Sequence, residues 1–260
     1  MLRKGDLTQG GITGTLLHFT LPMMVGSFLQ QCYNIADTLI VGQCIGAGAL
    51  AAVGSAYTLM VFLISVLLGL AMGSGTVFSL HYGAGNHVAL RRSIFSSFVL
   101  IGIVTLILNV AVFIWLDPIL RLLQVPQDIY GMMRSYSWII FCGIVFTFIY
   151  NFYASLLRAV GDSVTPLWFL AVSVVLNIAL DLFFILQLDW GIQGAAAATV
   201  LAQGVAALGI IIYTYRRRPE LRWHHEDMCF DRTCLKEIAS FSTLTCVQQS
   251  VMNLGILMIQ

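Results

Sequence analysis

Charged residues are scarce in this 260-residue sequence, since Asp, Glu, Lys and Arg together make up only 10% of it. Soluble domains average about 25%. Hydrophobic residues account for 59% of the chain and the mean hydropathy is +0.89, so the few charges cannot cover the surface of a water-soluble globule. The composition therefore excludes a soluble enzyme and predicts a protein embedded in a membrane.

Two further scarcities narrow the possible functions. The net charge of +1 leaves no basic surface for nucleic acid, so no nucleic-acid partner is expected. The six cysteines are scattered, with Cys32, Cys142 and Cys246 inside apolar runs, and a disulfide framework is not predicted.

A cleaved secretory signal is not predicted either, because the first apolar run has full span length and no small-residue cleavage site follows.

The apolar residues are gathered in long runs bounded by Gly, Pro or charged residues. A helix crosses the bilayer core of about 30 Å with about 20 residues. A β-barrel is excluded because these runs are apolar throughout instead of alternating. We predict seven membrane-spanning helices, at 16–42, 50–73, 93–116, 136–157, 164–186, 192–215 and 239–260.

The distribution of Lys and Arg predicts the orientation of the bundle. If the N-terminus is cytoplasmic, the inner segments hold eleven of these residues, and the outer segments hold only Arg121 and Arg134. Cytoplasmic loops carry an excess of Lys and Arg. We therefore expect the N-terminus and the loop 216–236 in the cytoplasm, and the segment 117–135 outside.

Two aspartates, Asp37 and Asp181, fall inside predicted spans, where ionisable groups are costly and mark functional sites. Helical spacing places polar residues on the same face as each aspartate, and a third such face occurs on the sixth span. These faces carry Gln30, Asn34 and Asp37 on the first span, Asn177 and Asp181 on the fifth, and Ala195, Thr199 and Gln203 on the sixth. All three lie in the predicted outer half of the membrane, so we expect them to face one another.

Two carboxylates, an amide oxygen, a hydroxyl and a backbone carbonyl are hard oxygen ligands, suited to Na⁺. Two carboxylates brought together at low dielectric can also share a proton. The alternative is that single polar residues only hydrogen-bond neighbouring helices. That alternative stays open for Asn34, Asn109, Asn151, Asn177 and Gln203.

Two other patterns can be interpreted either as functional sites or as purely structural features, and the structural interpretation is preferred for each. The glycines of 69–75 resemble a phosphate-binding loop but lack a following Lys-Ser/Thr, so close helix packing explains them better. His224, His225, Cys229 and Cys234 could be read as zinc ligands, but their spacing matches no standard site. A basic connector that contacts anionic lipid headgroups is the preferred interpretation of that loop.

Five short segments are specific when they are taken together and in their order along the chain. They are QCYNIAD at 31–37 with Val41 and Gly42 following, GAGN at 83–86, LRAVGDSVTP at 157–166, LNIALD at 176–181 and WGIQGAA at 190–196. They resemble the multidrug and toxic compound extrusion family of secondary transporters. The resemblance implies an all-α fold of twelve membrane helices in two six-helix lobes. It also implies Na⁺- or H⁺-coupled export of bulky, often cationic organic compounds across the cell membrane, with no enzymatic activity and no bound cofactor.

The resemblance further implies roles for individual residues. The family's first-lobe cation site matches Asp37, Asn177, Asp181 and Thr199, and Ala195 could supply a carbonyl. Pro22 matches a bend in the family's first helix. Candidates for the substrate cavity are Gln30, Tyr33, Asn34, Asn151 and Gln203.

Two other functions are less compatible with the sequence. A lipid or oligosaccharide flippase of the same broad superfamily usually lines its cavity with basic residues, and no Lys or Arg lies within a predicted span. A membrane-embedded enzyme needs paired aspartates in an Asp-x-x-Asp array or a Ser/His pair at matching depth, and neither pattern occurs. Cation-coupled drug efflux is therefore the leading hypothesis.

The predicted domain organisation is a six-helix lobe at 1–215, a cytoplasmic inter-lobe loop at 216–238, and the first helix of a second lobe at 239–260. The second lobe is expected in the same full-length chain, so the sequence is expected to be truncated. The seventh helix has no evident partner in which to bury Gln248, Gln249 and Asn253.

Overall fold

Eight α-helices make up most of the computed structural model, which describes residues 12–122, 124–222 and 232–259, and no β-strand occurs among them. The predicted all-α class is therefore confirmed. A short π-helix, Phe183–Gln187, follows the sixth helix, and a 3₁₀ turn, Pro219–Leu221, follows the seventh. The helices are α1 Ile12–Cys44, α2 Ala47–Gly83, α3 His87–Leu122, α4 Gln127–Cys142, α5 Ile144–Ala159, α6 Val164–Leu182, α7 Gly191–Arg217 and α8 Arg232–Ile259.

The fourth predicted span, 136–157, is a broken pair of helices, which corrects the prediction of one continuous helix. α4 and α5 meet at Gly143 with a bend of 45°. A Cβ atom on Gly143 would lie 2.5 Å from Val200 Cγ2, so the break brings this backbone against α7. Asn109 Nδ2 donates a hydrogen bond to the Phe141 carbonyl at 3.1 Å and satisfies a backbone acceptor next to the break.

Four helices of the described chain are long and apolar enough to cross a membrane: α2, α3, α7, and α6 with its π-helical extension. The bent pair α4 and α5 meets the same measure when counted as one span. The first and seventh predicted runs form α1 and α8, but these helices are not among the five. Both carry polar side chains along their length, including Asp37 on α1 and Glu237 on α8.

Glycines on α2 allow close contact with α8. A Cβ on Gly69 would lie 2.6 Å from the Cα of Cys246 on α8, and a Cβ on Gly73 would collide with Ser242. The preferred interpretation of 69–75 as a packing motif agrees with this arrangement. The expectation that the seventh helix has no partner is wrong, because α8 lies along α2 and buries Gln249.

Helix boundaries differ from the prediction at the α7–α8 connection. α8 begins at Arg232, whereas the seventh span was predicted to begin at residue 239. The proposed zinc ligands His224, His225 and Cys229 lie outside the described residues, and nothing is described of the side chain of Cys234. The zinc interpretation therefore stays a sequence hypothesis.

Two turn glycines of the resembling segments adopt a backbone conformation that disfavours other residues. Gly85 has a φ of 69° and Gly161 a φ of 86°. After Gly161, Asp162 Oδ1 accepts a hydrogen bond from the Thr165 backbone N–H at 3.0 Å, and Oδ2 accepts one from the Thr165 hydroxyl at 2.9 Å. These bonds fix the start of α6, the helix that carries Asn177 and Asp181.

Candidate cation site

Three helices bring the predicted polar faces together. α6 packs against both α1 and α7, and each of the three carries part of the site. The four residues of the predicted cation site are buried, with exposed fractions of 8% for Asp37, 1% for Asn177, 0% for Asp181 and 6% for Thr199. A cluster of polar side chains enclosed to this degree needs internal partners.

The side chain of Asn177 connects α6 to α7. With its amide nitrogen towards the carboxylate, Nδ2 donates to Asp181 Oδ2 at 2.9 Å, and the amide oxygen accepts from the Thr199 hydroxyl at 3.3 Å. Asn177 and Asp181 lie four residues apart, so they occupy neighbouring positions on one face of α6. This local geometry follows from helical periodicity alone.

The hydroxyl group of Tyr33 adds α1 to the network. Its oxygen lies 3.2 Å from Thr199 Oγ1, and with the Thr199 hydroxyl donating to Asn177 it is the Tyr33 hydroxyl that donates here. Thr199 thus contacts both α1 and α6 from its position on α7. A threonine hydroxyl can serve two neighbours at once because it has one donor and two acceptor positions.

The carboxyl groups of Asp37 and Asp181 face each other closely enough to share a hydrogen bond. One oxygen of each, Oδ1, is buried and has no hydrogen-bond partner in the described part of the chain. Two carboxylates with free buried oxygens cannot both stay charged and unpaired in a low-dielectric interior. A pair of this kind can accept a positive species, either a metal cation or a proton.

The oxygen donors present fit Na⁺ as well as H⁺. Asp37 and Asp181 supply carboxylate oxygens and Thr199 a hydroxyl oxygen, which hard cations prefer, and in this orientation the Asn177 amide oxygen faces Thr199. Ala195 is buried on α7 one turn before Thr199. Within the described residues, no group of three or more His, Cys, Asp and Glu side chains lies close enough together to hold a metal ion.

Several proposed substrate-cavity residues make other contacts. Gln203 pairs with Thr147 on α5, although it was predicted to face the aspartates with Thr199. Asn151 Nδ2 donates to the Thr147 carbonyl at 2.8 Å on its own helix, and Asn34 Nδ2 donates to Gln31 Oε1 at 3.1 Å. Asn109 also makes a helix-to-helix bond, so the alternative of structural hydrogen bonding fits several of these residues.

The remaining predicted residues lie on α1. Gln30 is exposed, and Tyr33 belongs to the hydrogen-bond network described above. Pro22 lies inside α1, which is helical on both sides of it, and the bend expected there stays a prediction.

One residue of the site was not predicted from the sequence. Tyr136 on α4 is buried, with an exposed fraction of 5%, and lies within electrostatic reach of Asp37, Tyr33 and Asp181. It belongs to an apolar run in which aromatic residues are common, and its partners are on other helices. No pattern within α4 could have singled it out.

Comparison with known proteins identifies the family to which this chain belongs. The MatE family model matches residues 22–183, more than half of the chain. The chain is 36% identical over 217 residues to a Bacillus subtilis (strain 168) protein named "Probable multidrug resistance protein YpnP", covering 84% of this chain and 49% of that protein. It is 29% identical over 202 residues to "Multidrug export protein MepA" of Staphylococcus aureus (strain NCTC 8325 / PS 47), covering 76% of this chain and 44% of that one.

Solved structures have the same fold. The structure titled "Outward-facing conformation of a multidrug resistance MATE family transporter of the MOP superfamily" superposes with a TM-score of 0.91 at 24% identity, over 99% of this chain and 57% of that one. The chain thus spans about half the length of the curated relatives it matches. On the evidence of the family model and of the relative that is 36% identical over 84% of the chain, the chain belongs to the MATE (MatE) family of secondary transporters, which are not enzymes.

Proposed function

We propose that this chain forms one lobe of a cation-coupled antiporter that exports drugs or other bulky, often cationic organic compounds. The coupling ion, Na⁺ or H⁺, is a transported substrate that binds between Asp37, Asn177, Asp181 and Thr199. The observation that carries the proposal is the enclosure of two carboxylates from different helices with their Oδ1 atoms unpaired. The export function is supported by relatives named as multidrug resistance and multidrug export proteins.

The position of the site explains how cation binding would affect the helices. Asp37 is on α1 and Asp181 is on α6, so a cation between them attracts both helices at once. When the cation leaves, the two carboxylates repel each other in a medium that screens charge poorly. Occupancy would therefore change the relative position of α1 and α6, and a change of this kind is what alternating access requires.

The test uses the full-length protein in proteoliposomes, with a fluorescent organic cation as the exported compound. A Na⁺ gradient and a pH gradient are imposed one at a time, with the other ion equal on both sides. Export driven by one gradient, or by each of them, supports the proposal and identifies the coupling ion. No export under either gradient, from protein that retains its fold, would overturn it.

We further propose that the protein lies in the cell membrane with the N-terminus and the connection after α7 in the cytoplasm. Arg216, Arg217 and Arg218 at the end of α7 support this orientation through the positive-inside rule. The test is Arg217→Cys in a background without native cysteines, treated with a membrane-impermeant thiol reagent. The proposed orientation predicts labelling only after the cells are opened, and labelling of intact cells would contradict it.

A further inference from the structure

A cavity of about 560 Å³ lies between α4 and the start of α7, at the end of the bundle opposite Arg216–Arg218. Its lining includes a carboxylate, an indole and a carboxamide from one short stretch, with aliphatic side chains beside them. The lining residues are Asp189, Trp190, Ile192, Gln193, Ala197 and Ile139. None of these residues belongs to the site formed by Asp37, Asn177, Asp181 and Thr199.

Two polar side chains of this cavity have no partner in the described part of the chain. Within the described residues, the Asp189 carboxylate makes no hydrogen bond or ion pair, and neither does the Gln193 amide. Asp189 is exposed and keeps the positive φ of 53°, a conformation that few residues other than glycine adopt. The Asp189 carboxylate is therefore accessible from the cavity and free to pair with a ligand.

The indole of Trp190 is fixed in place with much of its surface free. Its ring stacks on Phe184 at a centroid distance of 5.1 Å and an interplanar angle of 24°, yet 52% of the residue stays exposed. The Trp190 backbone N–H donates to the Phe184 carbonyl at 3.1 Å, which ties the turn to the π-helix Phe183–Gln187. A tryptophan near a membrane surface is often only an interfacial anchor. Here a free carboxylate lies directly before it in the chain.

We propose that this cavity binds an organic ammonium group. The charge would pair with the Asp189 carboxylate, the substituents would lie against the Trp190 ring, and the aliphatic walls would accept the apolar remainder. The ammonium group can belong to a soluble organic cation or to the headgroup of a phospholipid such as phosphatidylethanolamine. The inference concerns binding alone and does not depend on transport.

The probe is choline, titrated by saturation-transfer NMR against the full-length protein in phosphatidylglycerol nanodiscs, which contain no ammonium headgroup. The neutral isostere 3,3-dimethyl-1-butanol has the same shape without the charge. The test variants are Asp189→Asn and Trp190→Leu. Asp128→Asn removes an exposed carboxylate and Trp168→Leu an exposed indole, each outside the cavity, so these serve as matched controls.

We expect saturable choline binding to the wild type and to both controls, an affinity lower by at least about tenfold in Asp189→Asn and Trp190→Leu, and no saturable binding of the isostere. Thermal unfolding of the four variants checks that each retains its fold. Unchanged choline binding by Asp189→Asn, equal binding of the isostere, or no saturable binding to the wild type would overturn the proposal.

A second set of nanodiscs distinguishes the two sources of the ammonium group. Part of the phosphatidylglycerol is replaced by phosphatidylethanolamine, and choline is titrated again. If phosphatidylethanolamine competes for the site, choline binds the wild type more weakly in these nanodiscs, whereas residual binding to Asp189→Asn does not change. That result supports a site for lipid headgroups. Unchanged choline binding supports it as a site for soluble cations.

Discussion

The hydroxyl oxygens of Tyr33 and Thr199 lie 3.2 Å apart, although 166 positions separate the two residues in the sequence. Tyr33 is on α1 and Thr199 is on α7, and the Thr199 hydroxyl also lies 3.3 Å from the Asn177 amide on α6. A single hydroxyl therefore connects the three helices that carry the candidate cation site. Two of the predictions below change this connection without removing a carboxylate.

Replacement of Tyr33 by Phe removes the hydroxyl and keeps the ring. Because a hydrogen bond of this kind contributes about 1 kcal/mol, we expect Tyr33→Phe to raise the cation concentration for half-maximal export by about fivefold. The maximal rate should change less. Tyr130→Phe is the matched control, since Tyr130 donates to Asp117 away from the site. Equal cation dependence of Tyr33→Phe and wild type would contradict this prediction.

Replacement of Thr199 by Ala removes a hydroxyl that contacts both Tyr33 and Asn177. We expect Thr199→Ala to weaken the Na⁺ dependence of transport without ending it, because both carboxylates remain. Thr199→Ser should restore most of the dependence, since it restores the hydroxyl. The measurement is the export rate as a function of Na⁺ concentration. Complete loss of export by Thr199→Ala would contradict this prediction, because the hydroxyl would then be essential for transport.

The packing of α8 on α2 depends on Gly73, where any Cβ would meet the backbone of Ser242. Gly73→Ala forces the two helices apart, and we expect it to lower the free energy of unfolding by about 1–3 kcal/mol. Gly131→Ala on α4 is the control, because a Cβ there has no neighbour within 4 Å. Thermal unfolding of the purified proteins tests both. A Gly73→Ala protein as stable as the Gly131→Ala protein would contradict the close contact.

The start of α6 depends on Asp162, which accepts two hydrogen bonds from Thr165 and lies 3.5 Å from Arg218 Nη2. Asp162→Ala removes all three contacts, and we expect it to cost about 0.5–2 kcal/mol of unfolding free energy. Asp162→Asn keeps an acceptor for the Thr165 backbone N–H and loses the ion pair and the acceptor for the Thr165 hydroxyl, so its loss of stability should be smaller than that of Asp162→Ala. Chemical or thermal unfolding ranks the two variants, and the reverse order would contradict the capping role.

Helical periodicity was sufficient for those parts of the site that lie on one helix. Asn177 and Asp181 meet because they are four residues apart on α6. The cost of a carboxylate in a membrane identified Asp37 and Asp181 as the residues to bring together. The all-α class followed from composition and run length.

Contacts between helices could not be read from periodicity. Gln203 follows Thr199 by one turn, yet the rotation and position of α5 give it Thr147 as its partner. Tyr136 on α4 lies within electrostatic reach of the aspartates on α1 and α6, and no residue pattern on α4 indicates this or the break from α5 at Gly143. The partner of α8 depends on the glycines of α2, which are distant in the sequence.

The central claim is that Asp37 and Asp181 bind the coupling cation, and the most direct measurement is gradient-driven export by Asp37→Asn and Asp181→Asn. Each variant keeps the size of the side chain and removes one charge from the pair, so the full-length protein should still insert in the membrane and fold. We expect both to abolish export in proteoliposomes under the gradient that drives the wild type, while Asp128→Asn, which changes an exposed carboxylate, exports normally. Normal export by Asp37→Asn or Asp181→Asn would contradict the account.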